Sequence, residues 1–156
     1  MKNQWKTYAF WIVVCELVGI VSGLLSRQGI EIYQYTVTKP LLTPPAWVFP
    51  VVWSILFALM GISAARVSLT PNTTQRDRAL GLFVAQLIVN FFWPLLFFNA
   101  QAFGFALIWL ALLWILVLAT AWQFGKIDTK AGWLLLPYLA WLTFAAYLNG
   151  AVWVLN

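Results

Sequence analysis

The chain is 156 residues long, 63% hydrophobic and only 8% charged, with 11 tryptophans and a formal net charge of +5. Soluble domains carry about 25% charged residues, so this chain has too little polar surface to cover a globule in water. Its apolar residues fall in runs near the ~20 needed to cross a bilayer, which predicts an all-α, polytopic membrane protein. The nine Lys and Arg sit mostly between those runs rather than in a basic stripe, so nucleic acid is not an expected partner. One cysteine, Cys15, excludes an intrachain disulfide. The absence of histidine excludes His-ligated metals and haem, and any Ser-His or Cys-His catalytic arrangement.

Residues 1–6 form a short polar lead with Lys2 and Lys6. The first apolar run, about residues 7–26, is too long for a signal-peptide core and lacks a clear A-x-A-like site, so a retained helix is expected. It contains Glu16, the one carboxylate inside a predicted span. Such a group either hydrogen-bonds to a neighbouring helix in its protonated form or marks a functional site. Cys15, Gly19 and Gly23 recur at i+4, a small-residue face suited to close helix packing.

Residues 27–43 form the longest connection. Gly29, Tyr33, Tyr35 and Pro40 make it irregular yet aromatic, so it is expected to fold back on the bundle. Four of the seven prolines lie between Lys39 and Trp53. Each removes a backbone donor and fixes φ, so the approach to Pro44 cannot be regular helix. Pro45 suits the first position of a second helix, about residues 45–65, with Thr43 as a cap and Pro50 bending its start.

Residues 66–78 read as a polar turn. The third helix, about residues 79–98, places Gln86, Asn90, Trp93 and Phe97 on one face, and Pro94 should kink it near its end. Gly81 and Ala85 make a second small-residue step, read as a dimer interface. After a tight reversal comes an uncharged fourth helix, about residues 103–124. Asp128 or Thr129 then caps a fifth helix, about residues 132–154, which carries Tyr138, Trp141, Ala145 and Asn149 within about 80° of one another. The whole chain reads as a single domain.

Seven of the nine basic residues fall on the side of the N-terminus; Arg27 and Lys39 lie on the other. In a bacterial cytoplasmic membrane this puts the N-terminus inside, with the proline-rich stretch and the C-terminus outside.

Polar groups on inward faces either join helices or contact a ligand, and Asn90 and Asn149 satisfy both descriptions. Trp47, Trp53, Trp93, Trp114 and Trp141 either pack helix against helix or line an apolar pocket for a large flat molecule. Catalytic residue types are sparse. Asp77 and Asp128 both lie in connections, and no Gly-rich phosphate loop follows a strand.

Lys39-Pro40 with Pro44-Pro45, then Trp47-x-Phe49-Pro50-x-x-Trp53, resembles the signature of the TspO/MBR family, the translocator proteins. The run Asn90-Phe91-Phe92-Trp93 is similar to the same family, as are Pro137-Tyr138-Leu139-Ala140-Trp141, Phe144-Ala145 and Leu148-Asn149. The resemblance implies a five-helix bundle, commonly a homodimer in the lipid bilayer. Its pocket would bind porphyrin or haem-type ligands and isoquinoline- or benzodiazepine-type drugs. On the matching positions, the candidate ligand-contacting set is Tyr33, Lys39, Pro44, Trp47, Phe49, Trp53, Asn90, Trp93, Trp141, Ala145 and Asn149. No resident cofactor is expected.

Ile32-Tyr33 stands where many bacterial relatives have Trp-Tyr, and Leu41-Leu42 where some carry an aromatic. These lost stacking surfaces argue for binding over full porphyrin degradation. The residues after Leu148 lack the tyrosine and basic residue of the sterol motif. The leading expectation is a tetrapyrrole-binding translocator-type receptor or sensor. The alternatives are light- and oxygen-dependent porphyrin breakdown, and proton-coupled export through Glu16.

Overall fold

The computed structural model describes residues 3–156. Lys2, one of the basic residues in the orientation argument, lies outside the described residues. The chain forms α1 (Gln4–Leu25), α2 (Arg27–Thr36), α3 (Val48–Ser68) and α4 (Thr74–Pro94). A π-helical turn (Leu95–Asn99) follows, then α5 (Phe103–Ile127), α6 (Thr129–Leu134) and α7 (Leu136–Leu155). Among the described residues there is no strand, and five helical segments are long and apolar enough to cross a membrane.

Lipid tails are as apolar as the side chains, so tight packing and polar contacts must hold the bundle together. Gly61 of α3 sits directly on the backbone of Ile12, where any side chain would collide with α1. On α4, Phe83 takes Trp11 of α1 edge-on at 5.6 Å and stacks on Phe124 of α5 at 5.7 Å. Ser22 Oγ donates to the Phe91 carbonyl at 2.7 Å, fixing α1 against α4.

Four expectations change. Residues 27–36 are helix rather than irregular loop. Gly29 lets α2 lie on the Phe98 backbone, and Tyr33 packs on Phe97 and Phe98, so tertiary contact overrides weak local propensity. The helix after the prolines begins at Val48, not Pro45, and Thr43 does not cap it; its hydroxyl donates to the Pro40 carbonyl at 2.7 Å. Pro50 falls in the first turn, where its missing N–H has no partner to lose. The connection 69–73 is shorter than the turn expected over 66–78, because Thr73 caps α4 by accepting from Arg76 N at 3.1 Å.

The fourth change is at the fifth span, which is broken at Leu135 into α6 and α7. Pro137 occupies the first turn of α7. Asp128 caps α6, accepting from Lys130 N at 3.0 Å and Ala131 N at 3.4 Å. A Cβ on Gly132 would lie 2.8 Å from the Gly125 Cα, so glycine is what lets α6 nest against α5. Near Pro94 the expected disturbance takes a definite form. Proline cannot donate to the Asn90 carbonyl, and the backbone then widens so that Ala100 N reaches the Leu95 carbonyl at 3.0 Å.

Candidate ligand-binding site

At one end of the bundle α3 is tied to α6. Ser63 Oγ donates to the Ala131 carbonyl at 2.7 Å, and Arg66 bonds both oxygens of Asp128 at 3.0 and 3.4 Å. Toward the other end, side chains rather than backbone bridge α3 and α7. Phe49 meets Trp141 edge-on with centroids 5.9 Å apart, and Trp53 meets Tyr138 likewise at 6.1 Å. These four rings fill the cleft between the two helices.

Behind it lies a buried polar triad. The Tyr138 hydroxyl donates to Gln86 Oε1 at 2.8 Å and accepts from Asn90 Nδ2. Gln86 Nε2 also approaches Met60 Sδ of α3 at 3.9 Å. Tyr138 is fully buried and Asn90 is 5% exposed. Buried in an apolar span, each of these groups needs its partner, so the triad fixes the rotamer of the Tyr138 ring that faces Trp53. Tyr138 and Gln86 belong to the site but were not among its predicted residues. Their shared faces with Trp141 and Asn90 were the available signal.

The predicted residues separate into groups. Phe49, Trp53 and Trp141 line the cleft, with Ala145 one turn above Trp141 on the same face of α7. Trp93, Asn149 and Tyr33 form a neighbouring cluster. Trp93 Nε1 donates to Asn149 Oδ1 at 3.1 Å, and Asn149 Nδ2 donates to the Phe103 carbonyl at 2.8 Å. Trp93 stacks on Phe97 at 4.9 Å, and Tyr33 closes on the same ring at 5.5 Å. Burial raises the Tyr33 phenol above its ordinary pKa. Asn90 and Asn149 thus both serve as interhelical joints.

Lys39 caps α2: its Nζ donates to the carbonyls of Tyr33, Gln34 and Val37 at 3.1, 2.9 and 3.2 Å and lies 4.8 Å from the Tyr33 ring centroid. Pro44 and Trp47 belong to the strap, residues 37–47, that joins α2 to α3; Trp47 is 67% exposed. Asn156 and Tyr147 fasten this strap. Asn156 bonds both polar groups of Thr38, and the Tyr147 hydroxyl donates to the Leu41 carbonyl at 2.8 Å. The strap's tip exposes Leu41 and Leu42, the latter at φ 71°.

Three tryptophans donate hydrogen bonds: Trp93, Trp109 to the Val89 carbonyl, and Trp114 to Thr143. Among the described residues the indole N–H groups of Trp53 and Trp141 have no acceptor, although both rings are half-buried. Two aromatic rings at the cleft thus carry N–H donors that no group of the described residues accepts. The cleft is closed by its own rings. An open concavity of about 730 Å³ lies elsewhere, between the start of the strap, the α4–α5 turn and Trp153. Glu16 stands on α1, which packs mainly on α3 and α4, and among the described residues it makes no side-chain hydrogen bond or ion pair.

Fold and rings together define a five-span α-helical membrane protein with an aromatic cluster between α3 and α7. The model of the TspO/MBR family matches residues 11–154, and the chain belongs to that family. It is 36% identical over 157 residues to "Tryptophan-rich protein TspO" of Chlorobaculum tepidum, covering 100% of this chain and 99% of that protein. It is 35% identical to "Tryptophan-rich sensory protein" of Cereibacter sphaeroides, over 100% of this chain and 95% of that one. To the human "Translocator protein" it is 39% identical, over 85% of this chain and 79% of the relative.

Proposed function

We propose that the chain is a membrane receptor or sensor for a tetrapyrrole of the porphyrin or haem type. The ligand enters between α3 and α7 with its ring against Trp53 and Trp141 and the strap over its edge. The observation that carries this reading is the pairing of Phe49 with Trp141 and of Trp53 with Tyr138 across two helices, with both indole N–H groups unused. A flat aromatic ligand replaces ring–ring contact by ring–ligand contact, and its carboxylate or carbonyl oxygens accept from the free donors. Planar isoquinoline- or benzodiazepine-type molecules meet the same requirements. The charge distribution supports an N-terminus on the inner side of the membrane.

Titration of the protein in lipid nanodiscs with protoporphyrin tests the reading. Saturable quenching of tryptophan emission is expected. Trp53→Phe/Trp141→Phe should weaken the apparent affinity by about tenfold or more, since both indole N–H donors and part of each stacking face are lost. Unchanged affinity in the double variant overturns the assignment.

A further inference from the structure

The strap between α2 and α3 lacks what a water-facing loop carries. Residues 40–47 hold no charge, and Lys39 beside them turns its ammonium back onto the carbonyls of Tyr33, Gln34 and Val37. At the tip the Thr43 hydroxyl closes the turn on the Pro40 carbonyl at 2.7 Å, and Leu42 takes a left-handed φ of 71°. Turns in water give that conformation to glycine or asparagine. Here a leucine holds it, and the turn leaves Leu41 85% and Leu42 78% exposed.

The depth of the tip follows from its fastening. Trp133 and Trp153, both exposed, lie 20 residues apart along the fifth span. That is roughly 30 Å of helix, the thickness of the hydrocarbon core, so the two rings mark the two interfaces where tryptophan belts sit. Tyr147 comes six residues before Trp153, which places its backbone about 9 Å inside the belt on the strap side. A tyrosine side chain is shorter than that distance. Its hydroxyl therefore stays inside the belt, and the Leu41 carbonyl that it holds at 2.8 Å lies at belt depth or deeper. Tyr147 is exposed on the flank of α7, so the tip lies against the outside of the bundle.

The backbone of the strap also suits a medium without water. Pro40, Pro44 and Pro45 have no N–H to satisfy. The carbonyls of Pro40, Leu41 and Pro45 accept from the Thr43 hydroxyl, the Tyr147 hydroxyl and Val48 N.

We infer that the strap tip is a lipid anchor: Leu41 and Leu42 insert among the acyl chains of the leaflet on the strap side, beside the flank of α7. The partner is the hydrocarbon of the membrane that the chain itself spans, and the anchor does not depend on what the cleft binds.

Nitroxide labels at Leu41→Cys and Leu42→Cys, each in a Cys15→Ala background in phosphatidylcholine nanodiscs, test this. Power saturation is measured with oxygen, which concentrates in the bilayer, and with a nickel chelate confined to water. A label at Asn72→Cys, exposed in the connection 69–73, is the water-facing reference. Both tip labels should show an oxygen-to-nickel collision ratio about fivefold or more above that at Asn72. A ratio matching the one at Asn72 overturns the proposal, because the tip then lies in water. Labels shielded from both reagents overturn it too, because the tip is then covered by protein.

Discussion

Asn156 holds the peptide of Thr38 by both of its polar groups: Nδ2 donates to the carbonyl at 2.8 Å, and Oδ1 accepts from the N–H at 3.0 Å. A side-chain amide used in this way imitates a neighbouring strand. Asn156→Ala removes both bonds, each contributing about 1 kcal/mol net. Hydrogen exchange at the strap amides should then accelerate by about tenfold or more while the α4 and α5 amides keep their rates. Unchanged strap exchange would show that the strap is held by its own prolines.

The triad behind the cleft predicts a cost for a conservative change. Tyr138→Phe keeps the ring facing Trp53 but strands Gln86 Oε1 and Asn90 Nδ2 in a buried apolar setting. A loss of about 1–3 kcal/mol is expected, read as a lower unfolding midpoint in detergent. Adding Gln86→Leu should recover part of it, because the stranded acceptor leaves with its side chain. A double variant as unstable as the sum of the singles contradicts the coupling.

Asp128 carries two duties that can be separated. Its oxygens pair with Arg66 and also cap α6. Asp128→Asn retains an acceptor for the cap but loses the charge, whereas Asp128→Ala loses both. The alanine variant should be destabilised by about 1–2 kcal/mol and the asparagine variant by less. Equal losses would mean that the cap contributes nothing.

At Gly132 the prediction is steric. Gly132→Val drives two methyl groups into the α5 backbone at Gly125 and should cost about 1–3 kcal/mol or more, whereas Gly81→Ala enters open space and should be close to neutral. Parallel thermal melts of the two variants in the same detergent check this, and a neutral Gly132→Val fails it.

The five spans were legible because runs of about 20 apolar residues have few other readings. The family resemblance likewise rested on local strings such as Trp47-x-Phe49-Pro50. What escaped was decided by contact. Helix α2 contains Gly29 and two tyrosines, and it forms because Tyr33 finds Phe97 and Phe98, residues far along the chain. The break at Leu135 did have a local cause, since Pro137 is a helix-start residue, but a continuous apolar run hid it. Asn90 and Asn149 were each compatible with two roles until their partners Tyr138, Trp93 and Phe103 were known. Lys39 stood among the candidate ligand contacts, and only the fold shows three carbonyls already around it.

The fastening of the strap has a mechanical corollary. Every long-range hydrogen bond it makes ends on Tyr147 of α7 or on Asn156 just beyond, and none ends on α3 among the described residues. The strap runs directly into α3 at Val48, so these bonds tie the start of α3 to the far end of α7. At the opposite end α3 is joined to α6 rather than to α7, Ser63 with Ala131 and Arg66 with the cap Asp128. α3 is thus tied at both ends, to α7 through the strap and to α6 through that joint.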